Sequence, residues 1–254
     1  MRFPKGSIQL SEQQDLPLLK EVLRCGFVSH AQLYDLLSLA GSERRRECFN
    51  WRVRRLAEHG LLRRDALPDV ASRVVYSLTV EGVQQLVGVW QSTPGAVAAF
   101  ERKHDSSRII HALDLNDIRL ALARAGLLVE WTSEIEIRAR NEFTNYGYAK
   151  DYDAVVKVRT DGGQFQFGLE YERNPKANRR YLSIRSAMQS ERRLDRFLYL
   201  VPDFNLLWFL REVFGRSSVR VYFGIACDFR RSLLATQVVD PNMNFTTLAD
   251  ALRR

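Results

Sequence analysis

Three carboxylates in the second half of the sequence have a spacing that suits a hard divalent metal ion. Asp153 precedes one predicted strand, and Glu170 and Glu172 lie on the next strand, after a predicted turn at Asp161-Gly162-Gly163. Residues two apart in a strand point to the same face of a sheet. Carboxylate oxygens are the ligands that Mg²⁺ prefers. The first chemistry to consider is therefore metal-assisted attack on a phosphodiester.

The motif for that chemistry is incomplete. A nuclease of the PD-(D/E)XK type needs a lysine two residues after its second acid and has a proline before its first aspartate, but Glu172 and Tyr152 occupy these positions. Lys176 is a candidate replacement, because Asn174-Pro175 predicts a turn that brings the next helix near the strand end. Three interpretations stay open: pairing of the acids with arginines, a residual Mg²⁺ site on Asp153 and Glu170, and active hydrolysis. We expect no hydrolysis and no bound cofactor, with vestigial catalytic candidates at Asp153, Glu170, Glu172 and Lys176.

A second group of residues that could take part in binding is basic. Eight arginines and three glutamates fall between Ser42 and Arg64. Planar guanidinium groups suit guanine edges and phosphates, and asparagine can pair with adenine. The sequence therefore predicts DNA contacts by Arg44, Arg45, Asn50, Trp51, Arg54, Arg63, Arg64 and Arg73. The alternative is a solvated basic helix with local ion pairs and a Trp51 that packs on another domain.

The arginines need elements to position them. Apolar spacing predicts helices over Asp15–Leu23, from Ser29 to Gly41 and from Ser42 to Gly60, and β-branched residues around a polar tip predict a hairpin over 61–79. In the third helix, Phe49, Val53 and Leu56 share the buried side, and the opposite arc carries Arg44, Asn50, Trp51 and Arg54. Arg63, Arg64 and Arg73 flank the predicted hairpin, where cations would meet phosphates or a narrow minor groove. Helices followed by a hairpin are the order of a winged helix-turn-helix. We assign this domain to residues 12–90.

The acids need a second domain, which we assign to residues 96–254 after a linker at 91–95. A helix is predicted over 108–126, strands over 127–138, 151–159 and 164–172, and a helix over 176–194. FLYLV, the helix DFNLLWFLREVF and the strand VRVYFGIA follow. This order matches the αβββαβ core of restriction-endonuclease-like folds. The predicted fold class is α+β or α/β.

The composition of the chain indicates which class of binding partner and which cellular location to expect. The chain has 254 residues, 38 lysines and arginines against 30 acids, and a net charge of +8, which favours a polyanion such as double-stranded DNA. No run approaches the roughly 20 apolar residues that span a membrane, and the start lacks the apolar stretch of a signal peptide. We expect a cytoplasmic, nucleoid-associated protein. The three cysteines and four histidines have no disulfide or zinc spacing, and we expect the cysteines to be buried.

Three segments carry a resemblance: HALDLNDIRLAL, YDAVV and FGLEYERNPKANRRY. Together they resemble the bacterial replication-relaxation family over most of residues 12–200. The resemblance implies a winged helix joined to a nuclease-like domain and an association with plasmids and other mobile elements. It also implies matches of Glu170, Glu172 and Asp153 to the family's acids and of His111 and Asn116-Asp117 to its helix signature.

Three functions follow as hypotheses. The first is sequence-specific binding of double-stranded DNA by a regulator or a plasmid or mobile-element replication factor, with a non-catalytic second domain. The alternative is a metal-dependent endonuclease directed by the winged helix. The third is an adaptor whose second domain binds a protein. A homodimer is compatible with each of them.

Overall fold

A computed structural model of the chain describes residues 8–66, 74–87, 105–215 and 219–253. It is a mixed α+β structure with two compact units, Met1–Asn116 and Asp117–Arg254. Within the described residues, no helix is both long enough and apolar enough to cross a membrane.

The N-terminal unit holds helices on a small antiparallel sheet whose strand order is β1-β3-β2. Its elements are α1 (Asp15–Cys25), β1 (Val28–Ser29), α2 (His30–Leu39), α3 (Arg46–Glu58), β2 (Leu62–Ala66), β3 (Val74–Leu78) and α4 (Val80–Val87). The central strand β3 pairs Tyr76 with Val28 on one side and with Arg64 on the other. The predicted helices and hairpin are therefore present, and the two-residue strand β1 is an addition.

Local chemistry explains the boundaries of α2 and α3. Ser29 caps α2 through a reciprocal pair of hydrogen bonds with Gln32, as its sequence position predicts. Helix α3 begins at Arg46, later than the predicted Ser42, because the backbone N–H groups of Ser42 and Glu43 both donate to the Leu37 carbonyl. Residues 42–45 thus close off the end of α2 before α3 starts.

Helix α5 (Ser106–Arg124) contains the point where the two units divide. Its first half packs in the N-terminal unit, where Ile109 and Leu113 join Val75 in one apolar cluster. The sequence placed this helix entirely in the second domain. The predicted linker 91–95 lies outside the described residues, so the domain ranges 12–90 and 96–254 stay a prediction.

The C-terminal unit contains a seven-stranded mixed sheet in the order β10-β9-β8-β7-β6-β5-β4. After α5 the elements are β4 (Leu128–Ser133), α6 (Glu134–Phe143), β5 (Ala154–Thr160), β6 (Gly163–Tyr171), α7 (Asn178–Ser190), β7 (Arg196–Val201), α8 (Phe204–Phe214), β8 (Arg220–Ile225), α9 (Ala226–Ser232), a 3₁₀ turn (Leu233–Ala235), β9 (Gln237–Val239), β10 (Phe245–Thr247) and α10 (Leu248–Arg253). The pairs β6–β7 and β7–β8 are parallel, and the other neighbours are antiparallel.

Two expectations are corrected here. The predicted strand 127–138 ends at Ser133, because a capping box between Ser133 and Glu136 starts α6. The cysteines are not buried, since Cys48 and Cys227 are exposed and Cys25 is half-buried. The elements that follow Ile225 were not predicted, and they add two strands to the sheet.

The main core of the C-terminal unit lies on one face of the large sheet, under α7 and α8. Six of its buried side chains are aromatic, namely Tyr152, Tyr181, Phe197, Tyr199, Phe214 and Phe223. Gly168 on β6 lies so close to Phe197 that an added Cβ would come within 2.9 Å of its ring. Glu170 and Glu172 continue that face of β6, so their carboxylates enter an aromatic core.

Candidate nucleic-acid interface and acidic cluster

Helix α3 has a buried face and an exposed face, as its sequence predicts. Phe49, Val53 and Leu56 are at most 2% exposed. On the opposite arc of α3, Asn50, Trp51 and Arg54 are exposed. Arg44 and Arg45 are exposed as well, but they lie in the segment that precedes α3, which the sequence had assigned to the helix. Trp51 is 57% exposed, and the Arg55 guanidinium lies 4.8 Å from its ring centroid. Helix α3 therefore presents arginine, amide and indole groups to solvent on one side.

Two arginines of α3 do not belong to that exposed face. Arg52 is 5% exposed and forms ion pairs with Glu43 and with Asp15, whose Oδ1 is 3.3 Å from the Arg52 Nε. Arg55 also pairs with Asp15. These contacts tie α3 to α1 and to the residues after α2. Part of the arginine enrichment in the sequence is therefore structural.

Asn50 is the one predicted contact on α3 with a side-chain network described around it. His30, the first residue of α2, places its Nε2 2.9 Å from the Asn50 Oδ1 and its Nδ1 3.1 Å from the Tyr76 hydroxyl. The His30 ring also contacts the Phe49 ring at a centroid distance of 4.8 Å. Burial lowers the pKa of His30, and the charges of Arg46 and Arg64 lower it further, against the Asn50 hydrogen bond, which raises it.

The hairpin contributes the remaining predicted contacts. Arg63 and Arg64 are exposed on β2, and the Arg63 Nε lies 2.9 Å from the Asp65 Oδ1. Arg63 remains 46% exposed, and ion pairs at such exposure are weak, so this pair can yield to a phosphate. The predicted contact Arg73 lies outside the described residues.

The acidic residues of the C-terminal unit come together where β5 begins and β6 ends. Asp153 directly precedes β5, and its Oδ2 accepts a hydrogen bond of 2.7 Å from the Tyr171 backbone N–H. Glu170 and Glu172 are 7% and 6% exposed. Each of them has a lysine partner. Lys150 pairs with Glu170, and the Lys176 Nζ is 2.6 Å from the Glu172 Oε2.

We define the acidic cluster as Asp153, Glu170 and Glu172, and its electrostatics are most perturbed at Glu170 and at the neighbouring Tyr199. Burial raises the pKa of Glu170 to about 7, the negative charge of Asp153 adds to the rise, and Lys150 and Lys176 oppose it. The nearly inaccessible Tyr199 hydroxyl has no hydrogen-bond partner among the described residues, and burial beside the three acids raises its pKa well above 10.0. Burial thus favours the neutral forms of Glu170 and Tyr199.

The arrangement of its side chains determines whether the acidic cluster can hold a metal ion. Across the part of the chain that the structure describes, no three His, Cys, Asp or Glu side chains are arranged so that they could hold a metal ion. The two lysines supply positive charge at the glutamates instead. Lys150 and Lys176 therefore supply the positive charge beside Glu170 and Glu172 that a metal ion would otherwise supply.

A comparison with protein families supplies the decisive observation. The family model described as Replication-relaxation matches residues 19–183, well over half of the chain. The chain belongs to the replication-relaxation family. Neither the curated proteins nor the solved structures that were compared contain a match. Membership suggests a replication-associated role.

In this replication-relaxation protein, Asn116 of the helix signature forms a structural hydrogen bond. The Asn116 Nδ2 donates to the Phe27 carbonyl at 2.8 Å, and the Gln32 Nε2 donates to the Leu113 carbonyl at the same distance. These two buried amides fasten the first half of α5 within the N-terminal unit. Asn116 is therefore a structural residue, as is Gln32, which the sequence did not single out.

Sequence analysis missed Lys150 and His30 as members of these two sites. Lys150 lies only three residues before Asp153, so the segment YAKDYD contained a signal. His30 lies twenty residues before Asn50, and only the fold brings the two together. Arg179 and Arg180, two arginines that follow the acids in the sequence, are exposed on α7, and the ion pairs described for Glu170 and Glu172 are formed with lysines.

Proposed function

We propose that this protein binds double-stranded DNA sequence-specifically through its N-terminal unit, in a replication-associated role. The observation that carries the proposal is the exposed face of α3, on which Asn50, Trp51 and Arg54 face solvent opposite a closely packed apolar side. A helix that enters the major groove needs such a face, with donors for base edges and phosphates.

The elements around α3 support the same interpretation. Two helices precede it, a hairpin follows it, and β1 completes a small antiparallel sheet. We interpret this unit as a winged helix-turn-helix with α3 as the recognition helix and the β2–β3 hairpin as the wing. Arg63 and Arg64 then belong to the wing and contact phosphates or a narrow minor groove.

We further propose that the C-terminal unit is a nuclease-like domain that does not hydrolyse DNA. A hairpin of β5 and β6 followed by α7 and a parallel β7 is compatible with the αβββαβ core. In the acidic cluster, both glutamates are buried and already bonded to lysine. A Mg²⁺ ion would have to displace these lysines and be desolvated at the same time.

One experiment tests the binding proposal directly. The full-length protein is mixed with a library of random duplexes, bound molecules are recovered over several rounds, and the recovered sequences are determined. We expect one sequence motif to be enriched. If no motif is enriched and no duplex is retained at low salt, the protein does not act on DNA, and the adaptor hypothesis gains support.

The endonuclease is a second candidate because Lys150 and Lys176 place ammonium groups where the sequence motif lacks a lysine. Such a group could stabilise charge on a phosphoryl transition state. The test is incubation of supercoiled plasmid with the protein and Mg²⁺ or Mn²⁺. We expect no nicking. Nicking that disappears in Asp153→Ala, Glu170→Ala and Lys176→Ala would establish the nuclease instead.

A further inference from the structure

Hydrogen bonds join His30, Asn50 and Tyr76 into a network that fixes the orientation of the exposed Asn50 side chain. Asn50 is an exposed residue of α3, and a free amide there would rotate about its terminal torsion, which has a broad, roughly two-fold preference. Its Oδ1 is instead held 2.9 Å from the His30 Nε2. An exposed side chain with a fixed orientation invites a functional explanation.

The protonation pattern of the network follows from its partners. The Asn50 Oδ1 can only accept, so the proton of the imidazole lies on Nε2, which donates to it. In the neutral ring Nδ1 must then accept, and the Tyr76 hydroxyl donates to it at 3.1 Å. Burial and the nearby charges of Arg46 and Arg64 lower the pKa of His30, so the ring is neutral near pH 7.

The base of the network is rigid. Tyr76 lies on the central strand β3, paired with Val28 of β1 and Arg64 of β2, and it is 5% exposed. His30 follows the capped N-terminus of α2 and contacts the Phe49 ring on α3. The network therefore joins the sheet, α2 and α3, and its only exposed end is the amide of Asn50.

We propose that His30 is a positioning residue that orients the Asn50 amide for contact with one base edge, with Tyr76 fixing the imidazole. This inference rests on the proposed DNA binding. While Oδ1 holds the His30 N–H, the amide retains two N–H donors and one acceptor lone pair. Those are the groups that an asparagine uses to pair with adenine. If these groups are already oriented in the free protein, less side-chain conformational entropy is lost when DNA binds.

The test uses the full-length protein and the random-duplex selection in parallel for the parent, Asn50→Ala, His30→Ala and His30→Gln. We expect Asn50→Ala and His30→Ala to lose base preference at the same single position, and His30→Ala to weaken binding to the selected duplex by about two-fold to ten-fold. His30→Gln should regain much of the preference, because its amide can donate as Nε2 does. His59→Ala is the matched control, since His59 is exposed at the end of α3 and its ring forms a hydrogen bond with the Arg55 carbonyl, away from Asn50 and Tyr76.

The outcomes separate this inference from the function on which it rests. If the parent enriches no motif, the proposed function fails and the inference fails with it. If the parent enriches a motif, but His30→Ala keeps the preference that Asn50→Ala loses, only the inference is overturned. A uniform loss of affinity for all duplexes would also overturn it. If His30→Ala does not fold, Tyr76→Phe replaces it in the test, because it removes only the hydroxyl that bonds to His30. An unchanged base preference at the position read by Asn50 would then contradict the proposed role of the network.

Discussion

Helix α3 and the end of β6 both concentrate charge, but they use it in opposite ways. On α3, Arg54 and its exposed neighbours face solvent and keep their donors available to a polyanion. On β6, Glu170 and Glu172 are buried, and each carboxylate is bonded to a lysine. Charge density in a sequence does not distinguish these cases. Burial and pairing do, because a buried ion without its partner is much more costly than an exposed one.

The same contrast occurs within α3 itself. Arg52 and Arg54 are two residues apart, but Arg52 is buried between Asp15 and Glu43, whereas Arg54 is exposed. The proposed DNA-contact surface and a structural ion network therefore share one helix. Substitutions at these two positions should separate folding from DNA binding.

The largest expected effect is on stability. Arg52→Ala leaves the buried Glu43 without its arginine and Asp15 with Arg55 alone, and it should lower the free energy of unfolding by about 3–5 kcal/mol. Arg54→Ala is the matched control and should change it by no more than about 0.5 kcal/mol. Urea unfolding of the full-length protein measures both values. Equal losses in the two variants would show that the assignment of Arg52 to the interior is wrong.

The acidic cluster should give a pH dependence of stability. The pKa of Glu170 rises from 4.5 to about 7 on folding, so the folded state retains a proton that the unfolded state releases between these values. Stability should therefore fall as pH rises from about 4.5 to about 7, by roughly 3 kcal/mol for this group. Glu170→Gln should remove that fall, and the exposed Glu142→Gln should not. An identical fall in the parent and in Glu170→Gln would contradict the burial of this carboxyl.

The next effect concerns the exposed face of α3. Arg54→Ala and Asn50→Ala should each weaken binding to a selected duplex by roughly 1–3 kcal/mol and relax the preference at one base pair. Fluorescence anisotropy on the selected duplex and on a shuffled one measures the two affinities. Equal losses on both duplexes would reassign the residue to a phosphate.

The smallest effect is expected at the hairpin. Arg63→Ala and Arg64→Ala should weaken binding to all duplexes similarly, and each should reduce the salt dependence of log K by about one unit per lost phosphate contact. A titration series at increasing salt measures the slope. A slope that does not change in either variant would remove the hairpin from the interface.

The parts of the fold with strong local signals were predictable. Ser29 as a cap, the apolar spacing of Phe49, Val53 and Leu56, and the turn between β5 and β6 all depend on neighbouring residues. The strand β1 was not predictable, because two residues show no periodicity. The segment EIEIRAR alternates as a strand does, but the capping box at Ser133 makes it a helix.

The sequence was sufficient to identify many residues of the two sites, but not the contacts that those residues make. Sequence spacing brought Asp153, Glu170, Glu172 and Lys176 to attention, and the structure does bring them together. It could not indicate that Lys150 pairs with Glu170, or that His30 pairs with Asn50, because these contacts cross between separate elements. The predicted contacts included Arg54 and not Arg52, but the sequence could not indicate that Arg52 pairs with Asp15 and Glu43.

The central claim is that the N-terminal unit binds double-stranded DNA sequence-specifically, and one measurement tests it most directly. The full-length protein is titrated by fluorescence anisotropy against the duplex enriched by selection and against a shuffled duplex, at physiological salt. We predict a Kd for the enriched duplex that is lower by about a thousandfold or more, and a marked loss of that ratio in Arg54→Ala. Equal Kd values for the two duplexes, or a ratio that neither Arg54→Ala nor Asn50→Ala changes, would contradict the claim that α3 recognises the sequence.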